Sequence, residues 1–395
     1  MFAFLGTFVS AFSVGGLLYA FASGSGNSPL SFIECLAFGS LISATDPVSV
    51  LGIMKDISAD SKLYNLIFGE SIFNDAVAIV LYQTVLRVHE NGESAGEILG
   101  SVGLFFLIFL GSCFIGNFTG MLISYILKTV QLKQKLNFEV STVIFGPWIS
   151  YLLSEALHLS GIVSILFCGI AMARYTYPNL SEISRLSVGK AYSAVAEAFE
   201  VLVFIFLGMG LFSFSLPYSK MGAGLFLMAC FFILLVRAFM VPLFSALLNP
   251  WRKRKLTCKH QFFMWFAGFR GAIAFALAIQ ADNDFENGDL ILAITLLFAI
   301  ISVVGGGSLV TPLLYKLNLI ERQSEPFARN QPPSPTRQTP CSRIKKFVLF
   351  LDETYIYPLL VRRDFSVETK SPEEPVFENE IELGVPGEEN SKEQE

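Results

Sequence analysis

The sequence predicts an all-α polytopic membrane protein, and three observations carry that expectation: about ten apolar runs, a one-sided distribution of Lys and Arg between them, and two matched interruptions in otherwise apolar segments. A helix rising 1.5 Å per residue needs about 20 apolar residues to cross about 30 Å of hydrocarbon. Runs of that kind cover 1 to 22, 31 to 54, 63 to 86, 98 to 127, 138 to 157, 159 to 175, 195 to 216, 222 to 248, 261 to 281 and 288 to 316, the sixth being short. Composition agrees: 53% of the 395 residues are hydrophobic and 15% charged, against about a quarter charged in a soluble domain.

Basic residues near span ends are retained on the cytoplasmic face. One set of loops holds thirteen (Lys55, Lys62, Lys128, Lys133, Lys135, Arg174, Arg185, Lys190, Arg252, Lys253, Arg254, Lys255, Lys259), the alternate set only Arg87 and Lys220. Both termini are therefore expected in the cytosol, with the acidic stretch 282–289 on the opposite side. Met1 runs straight into Phe2 and Phe4 with no basic region before them, so no cleavable leader is expected. The net charge of −5 comes largely from the Glu-rich tail and says little about partners. The six cysteines lie far apart without metal-site spacing, and no nucleotide loop or nucleophile triad is present, which argues against an enzyme and against any cofactor. A nucleic-acid partner is not expected; the bilayer is.

Span two contains Thr45-Asp46-Pro47, where Pro47 removes a backbone donor and biases Asp46 away from helical geometry. Span nine contains Gly268-Phe269-Arg270-Gly271, two flexible residues flanking a charge. Each is the middle of a terminal triplet of spans, and by the orientation above the two run in opposite directions. Crossed, broken helices in inverted repeats surround the midplane site of secondary carriers, with freed carbonyls and half-helix ends serving the ion. A channel would want a carbonyl filter, and no such sequence is present. Spans five to ten form a six-helix unit while the first unit here has three, so about three further spans are expected upstream.

Charges at the centre of a membrane helix cost about 2.5 to 3.5 kcal/mol each on insertion scales and demand explanation. Glu155 and Glu197 fall near predicted span ends and read as solvated or capping, while Glu200 lies a turn deeper. Arg237 cannot shed its charge and needs a buried carboxylate, for which Glu70 is the candidate. Asp75 then remains as the group free to titrate. Proton and monovalent cation would compete for it, giving one-for-one exchange. Thr45 and Ser71 either add oxygen ligands or bond back to the backbone, and a second titrating acid at Asp46 would permit two protons per cycle.

The runs FGSLISATDPVSVL (38–51), FGESIFNDA (68–76), LSGI (159–162), FIFLG (204–208) and GFRGAIAF (268–275) together resemble the eukaryotic sodium/proton exchangers over residues 1 to 320, in order and at family spacing. Leu63-Tyr64, RYTYPNL (174–180) and LDETY (351–355) look most like the endosomal and Golgi class. The resemblance implies an inverted-repeat antiporter fold, thirteen spans in the family, and a homodimer using the first span. It makes Asp75 the Na⁺, K⁺ and proton carboxylate, with Asn74 beside it and Thr45, Asp46 and Ser71 at the ion site. It pairs Glu70 with Arg237, makes Arg270 a structural and electrostatic element near the site, and Glu200 a supporting acid. Electroneutral exchange of Na⁺ or K⁺ for H⁺ across an endosomal or Golgi membrane is the expectation. The alternative is a transport-inactive form acting as a regulatory subunit of a full-length exchanger.

Residues 321–395 read as a cytosolic tail. A proline-rich linker comes first, holding Ser334 and Thr339 before prolines, then an amphipathic stretch over 343–352 expected on the membrane or against the carrier, then an acidic disordered end. Cytosolic regulators are expected on this tail.

Overall fold

A computed structural model describes residues 2–25, 30–46, 48–57, 59–91, 95–130, 136–214, 217, 222–251, 255–319 and 350–361. In chain order the helices are α1 (Phe2–Ser25), α2 (Phe32–Ile42), α3 (Val48–Asp56), α4 (Ser61–Asn91), α5 (Ala95–Thr129), α6 (Leu136–Ala156), α7 (Gly161–Ala171), α8 (Glu182–Ser213), α9 (Ala223–Leu248), α10 (Cys258–Phe266), α11 (Ala272–Asp284), α12 (Gly288–Ile300), α13 (Gly307–Leu317) and, in the tail, α14 (Tyr357–Leu360). Wide π turns continue α7 through Met172–Thr176 and join α12 to α13 through Ile301–Gly306.

Among the described residues six stretches are long and apolar enough to cross a bilayer unbroken: Ala3–Gly24, Leu63–Glu90, Gly100–Thr129, Glu182–Ser213, Ala223–Leu248 and Gly288–Leu317. Two further spans expected from the sequence fall on pairs of short helices, α2 with α3 and α10 with α11. The remaining two are α6 and the short α7. The molecule is thus an all-α, multi-pass integral membrane protein.

Local sequence explains most boundaries. Ser31 and Glu34 form a capping box at the start of α2, with Ser31 N donating to Glu34 Oε2 at 2.7 Å and Glu34 N donating to Ser31 Oγ at 3.2 Å. The other oxygen of Glu34 accepts from the backbone N–H and the side-chain amide of Asn287, each at 3.0 Å, which pins the start of α2 to the start of α12. Helix α8 begins thirteen residues before the run predicted from hydropathy at 195. Its first turns are amphipathic, and Ser181 caps them by accepting from Ser184 N. Glu139 of α6, buried at 3% exposure, anchors that cap by accepting from Ser181 Oγ at 2.8 Å and Ser184 Oγ at 2.5 Å. Glu155 plays a similar role at the other end of α6, accepting from Gly161 N at 3.0 Å, whereas Glu197 is exposed on α8.

Lipid tails are as apolar as Leu, so close side-chain packing rather than exclusion of water holds the helices together. The largest core gathers α1 to α4 with α9 to α13, through residues such as Leu18, Phe38, Leu63, Ile233, Phe263 and Ile294. A second bundle joins α5 to α8 through Ile123, Val143, Cys168, Met172 and Val188. Between them lies a third cluster in which Ala76 and Val80 of α4 and Phe105 and Phe109 of α5 meet Ala11 of α1 and Val163 of α7. Phe8 and Phe105 meet edge to face there, 4.8 Å between centroids. The long helix α5 therefore touches both bundles.

Candidate ion-binding site

The backbone leaves helical geometry at Ser43–Asp46 and again at Ala267–Gly271. Pro47, the expected breaker of the first helix, lies outside the described residues. The two breaks touch: Asp46 N donates to Phe269 O at 2.8 Å. Two half-helix C-termini, those of α2 and α10, end here with carbonyls that have lost their helical partners.

Two arginines satisfy them in a crossed arrangement. Arg270, in the second break and 2% exposed, sends Nη1 to the carbonyls of Ser43 and Ala44, each at 3.0 Å, capping α2. Arg237, from α9, donates to Met264 O at 2.9 Å and Trp265 O at 3.3 Å, capping α10. A cation at a helix C-terminus is favoured by the helix dipole, and in lipid those carbonyls have no water to turn to. Arg237 Nη2 also lies 3.3 Å from Glu70 Oε1, so the pair is neutral overall. Glu70→Gln would leave Arg237 without its counter-charge, and a loss of roughly 2 kcal/mol in stability is expected, readable as a lower melting temperature of the detergent-solubilised chain.

Around the first break, α4 supplies the fastening. Asn74 Nδ2 donates to Ser43 O at 2.8 Å and to Thr45 Oγ1 at 3.2 Å, while its Oδ1 accepts from Thr7 Oγ1 of α1. Ser71 Oγ donates to Thr45 O at 2.5 Å and lies 3.0 Å from Thr45 Oγ1. Asn74 and Ser71 thus spend their hydrogen bonds on shaping the loop.

Beside this network is a cavity of about 140 Å³ walled by Ala44, Thr45, Asp46, Asp75 and residues 271–274. Asp75 Oδ1 is buried and has no hydrogen-bond partner. Asp46 sits against the start of α11, where a Cβ added to Gly271 would collide with its carboxylate. A helix N-terminus favours negative charge, so the start of α11 gives the Asp46 carboxylate a partner dipole at close range. A Cβ at Gly268 would likewise overlap the Arg237 guanidinium. Gly271→Ala is therefore expected to displace Asp46 and weaken cation dependence, measurable as a raised half-saturating cation concentration.

The sequence-predicted residues thus divide. Thr45, Asp46 and Asp75 line the cavity; Asn74 and Ser71 brace it; Glu70, Arg237 and Arg270 neutralise and cap the broken ends. Glu200 is half-buried on α8, with Asp46 and Glu197 as its charged neighbours. Sequence reasoning missed Thr7 and Ser302, the latter accepting from Arg270 N and donating to Arg270 O, both at 3.2 Å. A lone hydroxyl in an apolar span carries no signal that separates such a brace from a backbone-bonded residue.

Two broken helices crossing at a buried carboxylate define the architecture of a secondary transporter. Residues 1–316 match the family model described as sodium/hydrogen exchanger, transmembrane, and the chain belongs to that family. Sodium/hydrogen exchanger 5 of Arabidopsis thaliana is 39% identical over 315 residues, covering 78% of this chain and 60% of that protein. Sodium/hydrogen exchanger 9 of Equus caballus is 35% identical over 395 residues, covering 94% and 60%. Sodium/hydrogen exchanger 8 of Homo sapiens is 36% identical over 324 residues, covering 81% and 55%. The chain thus spans 55% to 60% of the length of these relatives. In fold it is similar to the sodium proton antiporter MjNhaP1 of Methanocaldococcus jannaschii at pH 8, with a TM-score of 0.58, 18% identity, and coverage of 79% of this chain and 76% of that one.

Proposed function

We propose that the chain exchanges Na⁺ or K⁺ for H⁺, one for one, by alternating access at Asp75. The observation that carries this reading is the buried, unpartnered Oδ1 of Asp75 facing a cavity at the helix crossing. A buried carboxylate with one unpartnered oxygen is costly when charged, so it is neutralised either by a proton or by a cation. If the site changes sides only when neutral, uptake of one ion is tied to release of the other and no net charge moves. Thr45 offers oxygen toward the cation; Asp46 stays charge-compensated by α11 and takes no proton in the cycle. Glu200 would add negative potential near the entrance.

The reading extends to topology and residence. Residues 1–320 form the exchange domain, residues 321–395 a cytosolic tail, and the basic loops face the cytosol. Similarity to exchangers 8 and 9 supports an endosomal or Golgi membrane, where such a carrier would return pumped protons in exchange for cations. The homodimer and the tail's regulators belong to the same reading.

The test is reconstitution of this chain in proteoliposomes holding a pH dye. An inward Na⁺ or K⁺ gradient should alkalinise the lumen at a rate unaffected by clamping the membrane potential. A rate that follows the potential would reject electroneutral exchange. Because proton and cation compete for one group, the half-saturating cation concentration should rise toward about tenfold per unit fall in pH; a flat dependence between pH 8 and pH 6 would contradict competition.

A further inference from the structure

The hydrogen bonds around the first break run in one direction, and they begin on α1. Asn74 Nδ2 lies 2.8 Å from Ser43 O, which also accepts from Arg270 Nη1. A carbonyl can only accept, so the NH₂ of Asn74 faces Ser43 and its oxygen faces Thr7. Thr7 Oγ1 carries one proton and stands within reach of two acceptors, Asn74 Oδ1 and Ala3 O. Helix α1 already supplies Ala3 O with a backbone N–H, whereas the buried Asn74 Oδ1 takes its hydrogen bond from Thr7, so the Thr7 proton belongs on Asn74.

The second amide proton of Asn74 goes to Thr45 Oγ1 at 3.2 Å. Ser71 Oγ is 2.5 Å from Thr45 O, a separation that requires a proton between the two oxygens, and Ser71 has only one. The 3.0 Å contact between Thr45 Oγ1 and Ser71 Oγ is therefore donated by Thr45. Thr45 thus spends its hydroxyl proton on Ser71 while accepting from Asn74, and one lone pair of Oγ1 remains. Thr45 lines the cavity, and its backbone N–H is hydrogen-bonded to Asp75. It presents the site with a hydroxyl that can accept but not donate, which suits a cation and gives nothing to a bare carboxylate. Thr7, Thr45, Ser71 and Asn74 are each at most 5% exposed, so water does not readily replace a missing link.

We propose that Thr7 is a positioning residue of the exchanger: as first donor of the chain that runs through Asn74 and Thr45 to Ser71, it locks the Asn74 amide and so holds the Thr45 hydroxyl as a ligand for Na⁺ or K⁺. The proposal rests on the reading of Asp75 as the shared site. Thr7 itself does not line the cavity. Without its hydroxyl, Asn74 Oδ1 becomes an unpaired buried acceptor. The amide then loses its preferred orientation, and the Thr45 proton is free to turn into the cavity, where it opposes a cation. When proton and cation compete for one group, weaker cation binding alone multiplies the half-saturating concentration by the same factor at every pH. A change in proton binding acts only where the group is protonated.

The test is Na⁺ binding to the purified full chain in detergent, read by calorimetry at pH 6 and pH 8, alongside flux in proteoliposomes. Thr7→Val, of nearly the same shape, should raise the half-saturating Na⁺ roughly fivefold at both pH values, the scale of one neutral hydrogen bond. Thr7→Ser should bind within about twofold of the parent, and Thr7→Cys, a weak donor, should fall between. If Thr7→Val does not elute as a folded peak, the comparison of Thr7→Ser with Thr7→Cys decides in its place. Parental affinity in Thr7→Val, equal losses in Thr7→Ser and Thr7→Val, or a loss that disappears at pH 8 would overturn the proposal. So would a parental chain that binds no cation. A chain whose Na⁺ binding follows the Thr7 hydroxyl but which carries no flux would leave this role standing and remove the exchange reading.

Discussion

Asp75→Asn is expected to reduce cation-driven proton flux to the level of empty vesicles while the protein still folds. The amide keeps the shape of the carboxylate but neither binds a proton in this pH range nor attracts a cation. Stability should be kept or raised, because the buried Oδ1 has no hydrogen-bond partner and its charge is a liability to the resting fold. Asp46→Asn should behave differently. Its carboxylate abuts the first turn of α11, so neutralising it removes a favourable charge from a helix N-terminus and lowers thermal stability along with cation affinity. Measured side by side, flux and melting temperature separate the two acids: the first variant is dead and stable, the second weakened in both respects. A dead, unstable Asp75→Asn with an unaffected Asp46→Asn would exchange their roles.

Arg270→Met should have the largest effect on folding. The guanidinium is fully enclosed and holds the Ser43 and Ala44 carbonyls, while its own backbone is clasped by Ser302. Without it, the Ala44 carbonyl loses its side-chain donor, the Ser43 carbonyl keeps only Asn74, and the carboxylates at the crossing lose a nearby cation. Removing one partner from a buried charged network costs roughly 3 to 5 kcal/mol. Size-exclusion chromatography of the detergent-solubilised variant should show loss of the monodisperse peak. Arg270→Lys should recover part of it, since an ammonium supplies charge but not the same reach to two carbonyls. A fully monodisperse Arg270→Met chain would mean that the carbonyls are satisfied some other way.

Much of this architecture is legible in the sequence because lipid imposes strict demands. A span needs about 20 apolar residues, which is why the ten runs correspond to α1 through α13. The Thr45-Asp46 and Gly268–Gly271 interruptions stand out against that apolar background for the same reason. The start of α8 was not legible, because its first turns are polar on one face and are held by Glu139, 42 residues distant from Ser181. Nor was the division of labour within the Asn74-Asp75 pair. Adjacent residues on a helix point about 100° apart, and only the packed neighbours decide which faces the loop and which the cavity. The crossed capping, Arg270 on α2 and Arg237 on α10, was equally hidden: a charged residue in an apolar span announces a need for partners without naming them, and here the partners include backbone carbonyls that exist only because the helices break.

The central claim is that one carboxylate, Asp75, carries either the proton or the cation. The most direct measurement is proton release on cation binding: Na⁺ or K⁺ titrated into the purified chain in weakly buffered detergent solution, with a pH dye as readout. The account predicts about half a proton released per cation bound at the titration midpoint, approaching one as the pH falls below it, and none in Asp75→Asn. Release that persists in Asp75→Asn and vanishes in Asp46→Asn would contradict it.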